Sequence, residues 1–572
     1  MIKKSWIIKD QGNTEGIAGL QNALGISKPI ASLLFQRDIK TFEQAKIFFR
    51  PELEHLHDPY LMKDMDKAVA RICRALESNE SLLVYGDYDV DGTTSVAMVY
   101  SYFKNSFKKI DYYIPDRYTE GYGISFKGID YAAENGFRLI IALDCGIKST
   151  AKVRYARDKG VEFIICDHHN PGPEIPDAEA VLDPKQADCN YPYKELSGCG
   201  VGFKLLQAFH IKQNLPLADL YKYLDLVAVS IASDIVPITG ENRVMAFYGL
   251  KQINRDPSIG LKAIIKMSGI EGKKIEIEDI VFKIGPRINA AGRMESGKKS
   301  VDLLISDNVK DAQVMGEKIN VFNTDRRSID AIITQEALSM IQSDPKSKNC
   351  KSTVLFSPEW HKGVIGIVAS RLMDHYYRPT VILTRSNGFA TGSARSVSGF
   401  DLYQAIEGCS SLLENFGGHK FAAGLTLKLQ NVQAFREKFE EIVCELIQPD
   451  QLIPVVTIDT ELSLGDINDK FYRILQQFQP FGPENMSPVF LTENVSDNGG
   501  GKLVGLNGEH LKLSLVQEQD PYKVFPAIAF QRGDIFPKIS DGHAFDIVYS
   551  VEENVYRGGK CLQLNIKDIK TD

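Results

Sequence analysis

The stretch SLLVYGDYDVDG (81–92) decides the fold, because an apolar run ends abruptly at a group of aspartates. Two later stretches repeat this pattern, RLIIALDCG (138–146) and EFIICDHHN (162–170). In each, a short apolar run is followed by Asp, or by Asp and His. Open α/β sheets place their chemistry outside the carboxyl ends of parallel strands. The three stretches therefore predict a parallel sheet with a functional site at one edge.

The polar side chains at these strand ends are expected to lie close together. They are Asp87, Asp89, Asp91, Asp144, Asp167, His168 and His169. No Lys or Arg stands directly beside them in sequence, so the carboxylates would repel one another unless a cation holds them. Carboxylates with one or two imidazoles suit Mg²⁺ or Mn²⁺, and a pair of such ions activates water against a phosphoryl group. The motifs therefore predict metal-assisted hydrolysis of a phosphodiester or a phosphoanhydride.

The DxDxDG spacing of residues 87–92 also occurs in the calcium loop of EF-hands. The Glu expected at the twelfth position of such a loop is replaced by Met98, and a strand precedes the motif where an EF-hand has a helix. A calcium loop is therefore disfavoured. Aspartates at every second position predict an extended loop that directs them to one side, followed by a helix that begins at residues 93–95.

Composition excludes several classes of protein. The 44% hydrophobic and 25% charged residues are typical of a soluble globular protein, and no apolar stretch approaches the ~18–20 residues that cross a bilayer. The nine cysteines form no CxxC pair, which argues against zinc fingers and disulfides and favours a cytoplasmic location. The net charge of −7 argues against a uniformly basic surface but is compatible with a local basic groove.

A chain of 572 residues is too long for one hydrophobic core, and its pattern predicts an ordered series of parts. They are an N-terminal helical segment (1–60), an α/β domain with a mostly parallel sheet (61–305), a long connecting helix (306–345), a second, smaller α/β domain (346–450) and a C-terminal β-barrel (451–572). The apolar stretch 224–237 fits a buried helix or a buried strand, and the helix is preferred. RGG (557–559) is interpreted as a turn between barrel strands.

The motifs GDYDVDG, LDCG and DHH, together with Ser233–Asp234, are similar to the four motifs of the DHH phosphoesterase superfamily. Within it, the chain most resembles the RecJ single-strand-specific exonucleases. Supporting segments include IPDRYTEGYGIS (114–125), GPRINAAGRM (285–294) and GGHKFAAG (417–424). The string DHH alone is a weak signal, whereas the ordered set is specific. The resemblance implies a DHH-type domain, a DHH-associated domain and an OB-like barrel.

The resemblance also implies a set of metal ligands for two ions, Mn²⁺ or Mg²⁺. They are Asp87, Asp89, Asp91, Asp144, His168 and Asp234. Asp89 and Asp91 would each bind one ion, Asp144 would bridge both, and His168 with Asp234 would complete the second ion's ligands. Asp87 would either bind directly or orient a ligand. The resemblance assigns direct catalytic roles to His169 and Arg293 as well as to Asp144.

A further group of residues is expected to bind the substrate. They are Arg117, Tyr122, Ser393, Arg395, Gly417, Gly418 and His419. The resemblance implies that Ser393 and Arg395 hold the terminal 5′-phosphate with Arg117. The segment GGHKFAAG is interpreted as a glycine-rich turn whose N–H groups approach a phosphate. Tyr122 is expected either to stack on a base or to lie in the core, and the sequence leaves both alternatives open.

The function that the resemblance implies is 5′→3′ exonuclease activity on single-stranded DNA, with release of 5′-mononucleotides in DNA repair and recombination. A helicase and a single-strand-binding protein are candidate partners, no membrane is involved, and a monomer is expected. Two rivals are a DHH phosphodiesterase for short oligonucleotides or cyclic dinucleotides and a non-catalytic replication scaffold. The additional segments outside the two α/β domains favour a polymeric substrate, and the complete ligand set disfavours a scaffold.

Overall fold

Near its amino end the chain combines one strand with three helices in the computed structural model, which describes residues 3–556 and 559–571. They are β1 (Ser5–Ile8), α1 (Thr14–Leu24), α2 (Lys28–Phe35) and α3 (Phe42–Phe49). The sequence predicted the helices but not β1, which pairs in parallel with the distant residues Val455–Ile458. A four-residue strand with so remote a partner leaves no local pattern to recognise.

The apolar runs that precede the acidic motifs form a five-stranded parallel sheet, which confirms the predicted class of fold. Its strands are β2 (Leu82–Gly86), β3 (Ile110–Tyr113), β4 (Leu139–Leu143), β5 (Glu162–Cys166) and β6 (Ala180–Leu182), in the order β3-β2-β4-β5-β6. The accompanying helices are α4 (Met65–Glu77), α5 (Val90–Phe103), α6 (Phe126–Glu134) and α7 (Thr150–Asp158). The strand order reverses between β2 and β4, and ligands of such sheets bind beyond the carboxyl ends at this point.

A mostly helical segment completes the first α/β region. Its helices are α8 (Gly198–Lys212), α9 (Leu224–Ser233), α10 (Gly240–Arg255), α11 (Ile259–Met267), α12 (Ile277–Asp279), α13 (Gly285–Met294) and α14 (Lys298–Leu304). Helix α9 confirms the interpretation of the apolar stretch 224–237, because nearly every side chain of the helix is buried. Helices α5, α8 and α9 pack against one another beside the sheet, which brings their ends to the acidic motifs.

The long connecting helix is α15 (Val309–Ser343), close to the predicted span. A mixed sheet follows, with strands β7 (Thr353–Phe356), β8 (Thr380–Ser386), β9 (Phe389–Arg395), β10 (Leu413–His419) and β11 (Ala422–Lys428) in the order β10-β11-β9-β8-β7. Its helices are α16 (Ile365–His375), α17 (Leu402–Glu407) and α18 (Val432–Leu446). Only β7 and β8 pair in parallel in this sheet, and the remaining pairs are antiparallel.

The C-terminal region is the predicted barrel. Its elements are β12 (Val455–Ile458), β13 (Thr460–Glu461), α19 (Asp469–Gln476), β14 (Phe490–Asp497), β15 (Lys502–Val504), β16 (His510–Gln517), β17 (Asp520–Ala529), α20 (Phe536–Ile539), β18 (Phe545–Tyr556) and β19 (Gly559–Lys570). Pairing runs β14-β18-β19-β17-β16, and β16 returns to β14 to close the barrel. Two residues of the predicted RGG turn, 557 and 558, lie outside the described residues.

The chain divides into two compact units. The parallel-sheet unit comprises Arg50–Ser328 and Pro480–Met486, and the barrel unit comprises residues up to Phe49, Ile329–Gln479 and residues from Ser487 onwards. The finer boundaries at residues 61, 306, 346 and 451 stay predictions. Within residues 3–556 and 559–571, no helix is long and apolar enough to cross a membrane.

Candidate active site

The acidic motifs meet at the carboxyl ends of the central parallel strands, where the sequence predicts them. Asp144 directly follows β4, His168 follows β5, and Asp234 caps the carboxyl end of α9. His168 Nε2 lies 3.2 Å from Asp144 Oδ1, 3.5 Å from Asp234 Oδ2 and 3.7 Å from Asp91 Oδ2. Four predicted ligands from four separate segments of the chain therefore surround one point.

Several ligand atoms of this acidic cluster are buried but have no hydrogen-bond partner among the described residues. They are Asp144 Oδ2, Asp87 Oδ2 and both ring nitrogens of His168. The ligand atoms of Asp144, His168 and His169 lie within 4.8 Å of one another. The same holds for the ligand atoms of Asp91, His168 and Asp234. Buried polar atoms without partners are costly, so a stable protein with this set needs another partner for them. Oxygen and imidazole ligands that are free and close together fit a divalent metal ion.

Burial and mutual repulsion shift the pKa values of the cluster. Burial, followed by the charges of Asp91 and Asp89, raises the pKa of Asp144 well above its ordinary value. The same causes raise the pKa of Asp234 to about 8. Burial lowers the pKa of His168, which keeps the imidazole neutral and its lone pair available. A divalent cation would relieve the repulsion between the carboxylates, so the electrostatics agree with the free ligand atoms.

Asp91 is the most firmly held carboxylate of the cluster. Its oxygens accept hydrogen bonds from the backbone N–H groups of Gly198 and Cys199, at 2.7 and 2.8 Å, and from the Ser230 hydroxyl at 2.7 Å. Gly198 and Cys199 open α8, so the free N–H groups of this helix end stabilise the negative charge. Sequence reasoning missed this support, although a serine before the run GCG at residues 197–200 is a helix-start signal.

Asp89 caps the amino end of α5, and its Oδ1 accepts the Gly92 N–H at 3.0 Å. The helix begins at Val90, so Asp91 lies in its first turn. The prediction of an extended loop through residue 91, with a helix only from residues 93–95, was therefore wrong. The capping role of Asp89 explains the earlier start. A side chain at Gly92 would place Cβ 2.4 Å from the Asp87 carbonyl oxygen, so the turn requires glycine.

Asp87 is fully buried at the end of β2, and its Oδ1 accepts the Tyr88 N–H at 2.8 Å. Burial, followed by the charge of Asp89, raises its pKa well above the ordinary value, and the nearby Arg117 opposes this shift. The guanidinium of Arg117 stacks on the Tyr88 ring, 4.1 Å from its centroid, and its Nε is buried without a partner among the described residues. The structure thus places Arg117 beside the acidic cluster, and its predicted contact with the terminal 5′-phosphate stays a prediction.

His169 makes a different contact from His168. Its Nδ1 lies 2.7 Å from Asp167 Oδ1, and Asp167 Oδ2 accepts the Ile147 N–H at 2.9 Å. Burial lowers the pKa of His169, but the hydrogen bond and charge of Asp167 outweigh it and raise the pKa to about 9. His169 is therefore a cation at neutral pH, which suits the predicted phosphate contact. Sequence reasoning placed Asp167 in the cluster without recognising that it orients His169.

Tyr122 lies at the edge of the cluster and is 49% exposed, which excludes the alternative of a core tyrosine. Its hydroxyl is 3.4 Å from His169 Nε2, and its ring packs edge-to-face on Tyr88. Arg293 lies in the last turn of α13, and its carbonyl accepts the Tyr118 hydroxyl. The preceding Gly292 packs on Tyr88 so closely that a Cβ would lie 2.7 Å from the Tyr88 carbonyl oxygen. Tyr88, which was not predicted as a site residue, therefore lies against Tyr122, Arg117 and Gly292.

The other predicted substrate residues lie in the barrel unit, on the mixed sheet. Ser393 and Arg395 project from β9, and Arg395 Nη1 donates to Ser393 Oγ at 2.9 Å. A Cβ at Gly366, in the first turn of α16, would lie 2.9 Å from Ser393 Oγ and 3.0 Å from Arg395 Nη2. Burial lowers the pKa of Arg395, and no acidic side chain of the described residues pairs with it. A cation beside a helix amino end is a suitable anion site.

Gly417, Gly418 and His419 belong to strand β10, and the turn of this hairpin is Lys420–Phe421. The interpretation of segment 417–424 as a turn therefore holds for Lys420–Phe421 but not for Gly417 and Gly418, which pair with β11 as part of a strand. Ala422 of β11 lies opposite both Arg395 and His419. The register places these two residues on one face of the sheet, two strand spacings or about 10 Å apart.

Gly418 has a φ of +148°, and a Cβ there would lie 2.4 Å from the Ala422 carbonyl oxygen. The position therefore admits only glycine. A Cβ at Gly417 would meet no described atom within 4 Å, so the space around β10 next to His419 is open. These features leave room for a phosphate.

Comparisons with known proteins agree with this arrangement. The DHH family, N-terminal domain, matches residues 81–231, the DHHA1 domain matches residues 349–445, and the RecJ OB domain matches residues 458–568. The single-stranded-DNA-specific exonuclease RecJ of Bacillus subtilis (strain 168) is 35% identical over 568 residues, which cover 99% of this chain and 71% of the relative. The chain belongs to the RecJ family.

Other RecJ proteins show the same relationship. RecJ of Escherichia coli (strain K12) is 32% identical over 529 residues, which cover 89% of this chain and 90% of the relative. The crystal structure of RecJ in complex with Mn²⁺ from Thermus thermophilus aligns with a TM-score of 0.85 and 26% identity, covering 99% of this chain and 80% of that one. The corresponding Mg²⁺ complex aligns with a TM-score of 0.78 and 25% identity, covering 99% and 78%.

Proposed function

We propose that this RecJ-family enzyme hydrolyses single-stranded DNA from the 5′ end, releases 5′-mononucleotides and acts in DNA repair and recombination. The chain is a metal-dependent exonuclease specific for single-stranded DNA, as its family membership shows. Its cofactors are divalent metal ions, Mn²⁺ or Mg²⁺. The 5′→3′ polarity, the mononucleotide product and the residue roles below are the parts that we propose.

The acidic cluster supports the assignment of metal ligands. Asp144 and His168 have free ligand atoms, and Asp234, Asp89 and Asp91 lie close to them. When bound, the ions would polarise the phosphodiester and lower the pKa of the attacking water. Asp91 is fixed by α8 and would keep the ligand set in position. We assign Asp87 an orienting role, because its Oδ1 holds the backbone of the turn at Tyr88.

His169 would act on the phosphate directly, and Asp167 would act through His169. Asp167 fixes the ring of His169 and keeps it protonated, with Nε2 facing the exposed side of the cluster near Tyr122. A protonated imidazole donates a hydrogen bond to a phosphate oxygen and stabilises the charge that grows there during hydrolysis. Arg293 would add a second positive charge from the end of α13.

Arg117, Tyr122 and Tyr88 would position the nucleotide. Arg117 stacks on Tyr88 and retains a buried Nε without a partner in the described part of the chain, which suits a phosphate contact. The exposed ring of Tyr122 offers a face for a base, and such stacking tolerates any sequence. On the mixed sheet, Ser393 and Arg395 would bind the terminal 5′-phosphate, with Gly417, Gly418 and His419 beside them.

The observation that carries this proposal is the set of buried, unpaired ligand atoms of Asp144 and His168. Polarity can be tested with a 5′-phosphorylated single strand that is longer than the ~4–16 nucleotides covered by one OB-fold. With Mn²⁺, a 5′ label should appear at once as a mononucleotide, while a 3′-labelled strand shortens gradually. Chelation by EDTA should stop both reactions. Early release of the 3′ label instead would overturn the proposed polarity.

The same assay distinguishes the exonuclease from the alternative function, a DHH phosphodiesterase. Such a phosphodiesterase would be active only on strands of a few nucleotides. The match of the RecJ OB domain to residues 458–568 favours the longer substrate. We further propose that the enzyme acts as a monomer, with a helicase and a single-strand-binding protein as partners. A sedimentation experiment on the purified chain, alone and with each partner, tests this part.

A further inference from the structure

Ile235 has a backbone conformation that its side chain disfavours. Its φ is +60°, in the left-handed region, where a β-branched side chain collides with the backbone. Among the described residues, the other non-glycine residues with positive φ are aspartate, asparagine, glutamate or glutamine, and Ile235 is the one apolar exception. Asp and Asn tolerate this conformation because their short polar side chains bond locally.

Ile235 also occupies a position that normally holds glycine. Helix α9 ends at Ser233, Asp234 caps it, and Ile235 is the next residue. Helices very commonly end with a left-handed residue at this place, and that residue is usually glycine. Glycine at position 235 would end α9 without strain, so the end of the helix does not require isoleucine.

Burial does not offset the strain either. Ile235 is 66% exposed, whereas the neighbouring Ala232 and Val236 are 4% and 7% exposed. An aliphatic side chain in water contributes nothing to the hydrophobic core. The folded chain thus retains a strained, exposed isoleucine that stabilises neither its helix nor its core.

The strained residue Ile235 lies next to the acidic cluster. Ile235 is bonded to Asp234, whose Oδ2 lies 3.5 Å from His168 Nε2, and consecutive Cα atoms are only about 3.8 Å apart. Asp144, the central ligand of the cluster, also has a positive φ of +58°. Strained residues that the surrounding structure holds in place concentrate at functional sites. The exposed aliphatic side chain of Ile235 therefore belongs to the residue that directly follows a predicted metal ligand.

We propose that the side chain of Ile235 packs against the base of a nucleotide next to the scissile phosphate and so positions the strand for hydrolysis. This inference rests on the proposed function of the acidic cluster. A phosphate at this place would meet no donor from an aliphatic side chain, whereas the face of a base is apolar. Because every base has such a face, the contact is independent of sequence. Ile235 is a positioning residue and takes no part in the chemistry.

The matched variants are Ile235→Gly and Asn214→Gly. Asn214 also has a positive φ, and it follows α8, whose amino end touches Asp91. The fifteen residues of α8 extend about 22 Å, so Asn214 lies far from the cluster. Both substitutions relax the backbone, and both should keep or raise the melting temperature. Only Ile235→Gly should lower kcat/KM on single-stranded DNA, by about fivefold to twentyfold, as expected for loss of an aliphatic contact.

Further variants keep the test informative if glycine loosens the loop. Ile235→Asn tolerates the left-handed conformation but removes the aliphatic surface, and it should behave like Ile235→Gly. Ile235→Val retains that surface and should retain most activity. Mn²⁺ affinity, measured by calorimetry on the full chain, should be unchanged in every variant. A parallel loss of Mn²⁺ affinity would show that Ile235 acts through Asp234 and would overturn the direct contact.

Abasic substrates test the contact itself. An abasic residue placed in turn at each of the first positions from the 5′ end should slow the wild type most at one position. At that position, Ile235→Gly should show little further loss, because the same contact is already absent. An equal abasic penalty in both proteins would contradict the proposal while leaving the exonuclease function intact. A wild type without activity on the unmodified strand would instead overturn the proposed function itself, and the inference with it.

Discussion

Helix α8 contributes to two buried ionic regions of the parallel-sheet unit. Its first residues hold Asp91 in the acidic cluster, and farther along Lys204 pairs with Glu241 at 3.0 Å. The side chains of Lys204 and Glu241 are 0% and 1% exposed, as deeply buried as the cluster. The two regions thus share a helix and a degree of burial but differ in charge balance.

In the Lys204 region the charges of Lys204 and Glu241 balance, and both charged groups are hydrogen-bonded. Lys204 Nζ also donates to the His57 carbonyl at 2.6 Å, and Glu241 accepts the His57 N–H at 2.9 Å and the Tyr191 hydroxyl at 2.6 Å. The acidic cluster instead has several carboxylates and free ligand atoms. The contrast teaches that a structural ion pair satisfies itself, whereas a catalytic site keeps its groups available for metal and substrate.

The largest expected effect is that of Asp144→Asn, which removes one charge and one ligand from the acidic cluster. Metal ligation contributes several kcal/mol to catalysis, so kcat should fall at least about a thousandfold with Mn²⁺ present. Relief of repulsion should raise the melting temperature of the metal-free protein. Nuclease assays and thermal unfolding in EDTA measure the two effects. Retained activity would contradict the assignment of Asp144.

Lys204→Met tests the buried ion pair of Lys204 and Glu241. It leaves the buried charge of Glu241 without its partner, and breaking such a pair typically costs about 3–5 kcal/mol. Denaturant unfolding should show this loss, while kcat of the remaining folded enzyme stays close to that of the wild type. The double variant Lys204→Met/Glu241→Gln should recover part of the stability. A catalytic defect as large as that of Asp144→Asn would show that the two regions are not independent.

Asp183 is a third buried ionisable site of the parallel-sheet unit. It directly follows β6 and is fully buried, and its Oδ2 has no hydrogen-bond partner among the described residues. Burial raises its pKa from the ordinary 3.8 to about 7. The folded state therefore binds the proton more tightly than the unfolded state does. The resulting stability is complete below about pH 4 and is lost as the pH rises towards 7.

Asp183→Asn should remove this pH dependence, because the amide stays neutral and keeps an acceptor for the Lys185 N–H. At about 1.4 kcal/mol per pKa unit, the gain in unfolding free energy should be about 2–3 kcal/mol larger at pH 8 than at pH 5. Urea unfolding of wild type and variant at both pH values measures the difference. Equal gains at the two pH values would assign Asp183 an ordinary pKa.

Metal addition should change stability by about as much as Asp183→Asn does. At one hundred times its dissociation constant, Mn²⁺ bound only by the folded state should add about 2.7 kcal/mol to the unfolding free energy. The increase should persist in Lys204→Met, whose ligands are intact, and be much reduced in Asp144→Asn. An undiminished increase in Asp144→Asn would place the stabilising ion elsewhere.

Prediction from sequence succeeded where the signal is local. The apolar runs before Asp87, Asp144 and Asp167 identify parallel strands, and the strands carry these residues to one edge of the sheet. It failed where the deciding partner is remote. Strand β1 depends on β12, and the glycines at 417 and 418 form a strand because β11 pairs with them. The firm hold on Asp91 depends on Ser230, more than a hundred residues away.

The sequence by itself determined the fold class, the family resemblance and the types of ligand atom at the site, because strand patterns and motif spacing are local properties of the chain. Only the tertiary structure decided which of those atoms lie unpaired together, which histidine is neutral and which is charged, and how Lys204 finds its partner. These properties depend on burial and on distances between remote segments. The conformation of Ile235 belongs to the same class, because no local pattern predicts an isoleucine where a helix end favours glycine.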